Sequence, residues 1–165
     1  EVSITTSRGD IQAKQVAGDL AAKTSRGAIE VDGVSGRVRA ETSRGPIEIS
    51  GGAGPISAST RRAPIHVRDA AGSVRATTHR APIFVSFASK PEGELVTSRA
   101  SIEVVVPEGA EFDLNAETSR GSVLLGEAIE VDGERARERT VGRVNGGGGE
   151  LRLRTSRSEI RVDVR

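Results

Sequence analysis

Apolar side chains recur at every second position in short runs along this chain. Ile29-Glu30-Val31 and Ile47-Glu48-Ile49 alternate apolar and charged residues, as do Val38-Arg39-Ala40 and Val74-Arg75-Ala76. A period of two is that of a strand with one face buried. Gly or Pro interrupts the chain every few residues, and apolar spacing of three or four is missing, so helices are not expected. The pattern predicts many short strands, each bounded by Gly or Pro.

The strands belong to a repeat. Thr-Ser-Arg or a close variant begins at Thr6, Thr24, Thr42, Thr60, Thr78, Thr97, Thr118 and Thr155. The first four steps are 18 residues; the later ones are 19, 21 and 37. Each copy runs into a small residue, a variable one, and then Ile or Val. Nine residues after that small residue comes a second one and a second strand, as in Gly36-Arg37-Val38 and Gly54-Pro55-Ile56. Two strands per 18 residues, repeated in register, predict an all-β, single-stranded β-solenoid (a β-helix) of about eight rungs, spanning 1–165 as a single domain. Ile47 and Ile49 are expected inside and Glu48 outside. On the other face Ile56, Ala58 and Thr60 are expected inside, with Ser57 and Ser59 outside. The inward threonines should form a ladder, each hydroxyl bonding to a neighbouring rung.

The register loosens toward the C-terminus. Lys90-Pro91-Glu92-Gly93 and Pro107-Glu108-Gly109 add residues, and the 37-residue step holds an irregular insertion at 126–148. That insertion, with a charged tip at Glu134–Arg139 and a Gly-rich end after Asn145, is expected to be a protruding strand pair or loop. The last strand, Ile160–Arg165, is expected at the end of the stack, where its outward charges would blunt further pairing.

Composition narrows the chemistry. The 165 residues include no Cys, Met, Trp or Tyr and three Phe. Without Cys there is no disulfide, thiolate metal site or cysteine nucleophile. Few aromatics leave little to stack bases or sugars on. With 24 basic and 23 acidic residues the net charge is +1, so nucleic acid is not an expected partner. No apolar run approaches the roughly 18 to 20 residues of a membrane helix, so this segment should not insert. A chain that starts at Glu1 and lacks Met is expected to be trimmed or processed, so the lack of a leader does not argue for the cytoplasm.

Recurrent Thr-Ser-x-Gly-x-Ile-x-Val turns, paired Gly-x-Val-x-Ala-x-Thr strands and the late glycine-rich loop resemble a bacterial adhesin-type domain family of unknown function. The resemblance covers Val2 to Val164. It implies a β-helix in the cell envelope, periplasmic or at the cell surface, and a non-enzymatic binding or spacer role. It supplies no catalytic residues. The Arg in the third turn position of all eight copies departs from the family pattern, which is usually small and polar there. The alternative is a filament module resembling bactofilins, with rungs stacked end to end; otherwise a monomer is expected.

Catalytic and metal chemistry finds little footing. Glu30 and Glu48 would be neighbours at roughly the 5 Å of a retaining glycosidase. Their column reads Gln12, Glu30, Glu48, His66, Phe84, Glu103, Leu124, Arg161, with nothing to push one carboxyl's pKa from another's. A polysaccharide-active enzyme is therefore the least favoured class. His66 and His79 fall in different columns, which gives no metal site and no cofactor. The serines have no His partner, and Gly146–Gly149 lacks the following Lys of a phosphate loop. Outward threonine arrays can bind ice, but these threonines should face inward.

The uniform feature is a stripe. Arg8, Arg26, Arg44, Arg62, Arg80, Arg99, Arg120 and Arg157 share one place in their turns. Stacked about 5 Å apart, neighbours would repel by about 0.9 kcal/mol even in bulk water. Two explanations stand. Guanidinium planes could stack, bond turn carbonyls or pair with Asp10, Glu41 and Glu117. Alternatively, the stripe contacts an anionic partner such as an acidic glycan, a phosphate-bearing surface or another envelope protein.

Overall fold

In the computed structural model, which describes residues 1–165, strands of alternating length wind into two facing sheets. The shorter strands of the regular rungs are β1 (Val2–Thr5), β3 (Leu20–Lys23), β5 (Val38–Glu41), β7 (Ile56–Ser59), β9 (Val74–Thr77) and β11 (Gly93–Val96). They lie parallel and in order in sheet A. Between them come β2 (Ile11–Val16), β4 (Ile29–Val34), β6 (Ile47–Gly52), β8 (Ile65–Ala70), β10 (Ile83–Phe87) and β12 (Ile102–Val106), parallel in sheet B. The 18-residue step shows directly in the pairing: Ile29 faces Ile47, which faces Ile65, and Val38 faces Ile56, which faces Val74. The all-β solenoid is thus present, with eight rungs counted along sheet B. No helix long and apolar enough to cross a membrane occurs.

Inside and outside follow the alternation. Ile47, Ile49, Ile56 and Ala58 are at most 2% exposed, whereas Glu48 and Ser59 are exposed and Ser57 half-buried. One apolar cluster runs the length of the stack. In the first rungs large Ile and Val of sheet B oppose the Ala22, Ala40, Ala58, Ala76 column of sheet A. That column turns to Leu95 and Leu153 where Gly93 removes a side chain beside it. The threonine ladder is present. Thr24, Thr42, Thr60, Thr78 and Thr97 each donate their hydroxyl to the carbonyl of the small residue in the preceding turn, at 3.1–3.4 Å. Thr42 also accepts from the Gly45 amide at 3.3 Å, so one hydroxyl closes its own turn and ties it to the preceding one.

Sheet B strands bend at a corner that the alternation alone does not reveal. Gln15, Gly33, Gly51 and Asp69 occupy one column, and all have left-handed φ of 51–67°. The bend swings Val34, Gly52 and Ala70 back into the core. Rung five drops this extra residue: pairing slips between Val85 and Phe87, and Phe87 stacks opposite Ala70.

The C-terminal third departs from chain order. After β12 come β13 (Phe112–Thr118), β14 (Val123–Leu125), β15 (Val131–Arg135), β16 (Arg139–Val144), β17 (Gly149–Thr155) and β18 (Ile160–Val164). β17 lies between β11 and β13, and β18 between β12 and β14. The last rung in the sequence is therefore seventh in space. Ile160–Val164, expected at the end of the stack, is internal, and its charges blunt no edge. The insertion at 126–148 is a strand pair, but it does not protrude. β16 runs antiparallel beside β13, and β15 antiparallel beside β16, extending sheet A past the final rung. Asp132, Glu134 and Arg135 line the outer strand, a charged edge unsuited to further pairing.

This arrangement makes two stability expectations. Ile47→Asp puts an unpaired charge between two rungs and should cost more than about 4 kcal/mol, whereas Glu48→Lys should stay within about 0.5 kcal/mol. Urea unfolding followed by circular dichroism checks both, and equal losses would contradict the inside–outside assignment. Thr42→Val orphans the Gly27 carbonyl and the Gly45 amide and should cost about 1–3 kcal/mol, while Thr42→Ser recovers most of it.

Candidate functional site

The turn that follows each sheet A strand presents the third residue of Thr-Ser-Arg to solvent. The inward Thr anchors the turn to its neighbour, and the two residues after it are pushed outward. All eight arginines of the expected stripe are exposed. Because the last rung is inserted, their spatial order is Arg8, Arg26, Arg44, Arg62, Arg80, Arg99, Arg157, Arg120. The ladder marks this order at its end: Thr155 Oγ1 donates to Ala100 O, and Thr118 Oγ1 donates to Ser158 O, both at 2.9 Å.

None of the eight takes part in a salt bridge or hydrogen bond within the chain. The five ion pairs involve Lys23, Arg143, Arg152, Arg154 and Arg165 instead. The carboxylates expected to neutralise the stripe are used elsewhere. Asp10 accepts from the Ala28 amide at 2.8 Å, Glu41 faces Lys23 at 3.5 Å, and Glu117 faces Arg154 at 3.6 Å. Turn carbonyls are taken by threonine hydroxyls. Of the local arrangements open from the sequence, pairing with Asp10, Glu41 and Glu117 is not what the structure shows.

The stripe widens in its middle. Arg61 and His79 occupy the turn position that is Ser in the other rungs. A shallow groove of about 310 Å³ is lined by Ser25, Arg26, Ser43, Arg44, Arg61 and Arg62, with no apolar side chain. Beside it, a groove of about 490 Å³ adds His79, Arg80 and the hydroxyl-bearing Ser59, Thr77 and Ser98. Fork-shaped guanidinium donors and hydroxyls together suit sulfate, phosphate or carboxylate oxygens. Arg61 was not among the residues singled out from the sequence. Its signal was the Thr-Arg-Arg variant at Thr60, which reads as a degenerate repeat until the turns are stacked.

The other candidates are dispersed. Glu30 and Glu48 are neighbours in sheet B and exposed, and Gln12 donates to Glu30 at 3.3 Å. Their column is as read from the sequence, except that Arg161 stands between Glu103 and Leu124. His66 lies on that face with its ring centroid 6.0 Å from that of Phe84, while His79 is in the turns. No three His, Asp or Glu side chains converge as metal ligands would.

Comparison with known proteins finds no family model, no curated protein and no solved structure that matches this chain.

Proposed function

We propose that this chain is a non-enzymatic binding domain of the bacterial cell envelope, adhesin-like in kind. Its solenoid holds a row of arginines against an anionic polymer, and the ligand class is an acidic glycan or a phosphate-bearing surface. One observation carries the reading: eight exposed arginines in one column, none neutralised from within the chain. Stacked like charges about 5 Å apart cost energy that an external anion repays. The β-rung spacing of about 4.8 Å offers an extended polymer several weak contacts at once, and their sum gives avidity without any deep pocket. The net charge of +1 leaves no strong whole-chain field, so attraction would come from a local row of cations rather than from the molecule at large. The location in the envelope rests on the resemblance of the repeat alone. The filament alternative draws less support, since the charged outer strand β15 closes one end of sheet A.

Replacing Arg44, Arg62 and Arg80 together by Gln tests the proposal. Binding to heparin, with uncharged dextran as control, is measured by titration at low and moderate salt. The parent chain should bind heparin in a salt-sensitive way and ignore dextran. The triple variant should bind at least about tenfold more weakly, with an unchanged melting temperature. A parent chain that does not bind, or a variant that binds equally well, overturns the proposal. A variant that melts far lower would identify the arginines as structural staples of the turns.

A further inference from the structure

Residues 149–165 fill a place that the rest of the chain leaves open. Between β12 and β13 the chain climbs two rung spacings through Pro107–Glu111, and β17 and β18 enter the gap last. The fit is specific on every side. Leu151, Leu153, Ile160 and Val162 are fully buried. The threonine ladder enters and leaves the inserted rung through Thr155 and Ser158. Its last residue, Arg165, donates from its guanidinium to Asp69 Oδ1 at 2.8 Å and Ser86 Oγ at 2.7 Å, and from its amide to Val106 O at 2.9 Å.

A single short connector holds this rung to its own chain. Val144 and Gly149 face Phe112 from opposite sides, so residues 145–148 must cross over β13. The crossing is tight. Asn145, Gly146 and Gly147 have φ of 51°, 96° and 86°. A Cβ at Gly148 would lie 2.7 Å from the Glu111 carbonyl, and one at Gly147 would lie 2.5 Å from Asp113 Oδ1. That same Asp113 oxygen is buried under the loop without a hydrogen-bond partner. Lifting the loop would return it to water, at the loss of the bond that Asn145 Nδ2 donates to Ala110 O at 2.9 Å. A short connector beside a self-contained element is the setting in which the element exchanges between copies.

We propose that residues 149–165 form an exchangeable rung, and that the partner is a second copy of this chain. In the dimer each copy places its last rung between the sixth and the final rung of the other. The slot demands both strands, the threonine turn and Arg165 at once, which a second copy supplies residue for residue. Within one chain the tether favours self-insertion by an effective concentration in the millimolar range, so the monomer dominates in dilute solution. Exchange would also set Arg157 of one copy between Arg99 and Arg120 of the other, joining two arginine stripes. This inference is independent of what the stripes bind.

The chain has no cysteine, so introduced pairs report without ambiguity. Glu94 and Arg152 face each other across β11 and β17. In one experiment Glu94→Cys and Arg152→Cys are combined with deletion of Gly146 and Gly147. The deletion leaves three Cα–Cα steps, at most about 11 Å, too short to pass around a strand. Light scattering should give a dimer, and a short bis-maleimide should link two chains, whereas the undeleted double-Cys chain links internally as a monomer. A deleted chain that remains monomeric overturns the proposal. In a second experiment, which covers failure of the deleted chain to fold, Glu94→Cys and Arg152→Cys are made in separate chains with the hinge intact. The two are refolded together from urea. Cross-linked heterodimer should be negligible at ~1 µM and approach about a quarter of the protein at ~1 mM, since random pairing makes half of the dimers mixed. Its absence at the higher concentration overturns the proposal as well.

Discussion

Each residue of a rung lies about 4.8 Å from its counterpart in the next, and nearly everything else in this molecule follows from that repeat. Parallel pairing in register places like on like: Ile29 on Ile47 on Ile65 in the core, Thr42 beside Thr60 in the turn. Inside, stacking identical apolar side chains is favourable and removes water from both. In the turn it is favourable because a hydroxyl is both donor and acceptor, so each threonine can accept from an amide of its own turn and donate to a carbonyl of the preceding one. Outside, the same rule is costly wherever the residue is charged.

The outward surface shows how the chain manages that cost. On sheet B the column from Gln12 to Arg161 mixes acids, a base, an amide and an aromatic, so like charges seldom run on. Ala21, Arg39, Ser57, Arg75 and Glu94 do the same on sheet A. The turn column repeats a single cation through every rung, and none of its eight arginines has an ion-pair partner within the chain. That uniform column of like charge is the feature on which the proposed anion-binding reading rests.

The inserted rung shows a second consequence of the repeat. When every rung has the same register, any rung fits on any other, and adjacency in the chain loses its authority. The 21-residue step from Thr97 to Thr118 supplies three residues more than a rung needs, enough slack to climb past an open place. Filling that place last leaves β13 covered on both sides, by β17 and by the antiparallel β16.

The inside–outside assignment, the threonine ladder and the arginine column were legible in the sequence because each depends on a local period, two along a strand and 18 between rungs. The corner residue was partly legible, as Gly33 and Gly51 in step, but Gln15 and Asp69 hid the column because neither announces a left-handed φ. The order of rungs, the place of the 126–148 strand pair and the unneutralised state of the arginines were not legible. A degenerate repeat pairs equally well in several orders, and a charge is free or paired according to which carboxylate another contact has already taken. Only the assembled molecule decides these, by the competition of Ala28 for Asp10, Lys23 for Glu41 and Arg154 for Glu117, and by the burial that β17 and β18 gain between two rungs rather than beyond one.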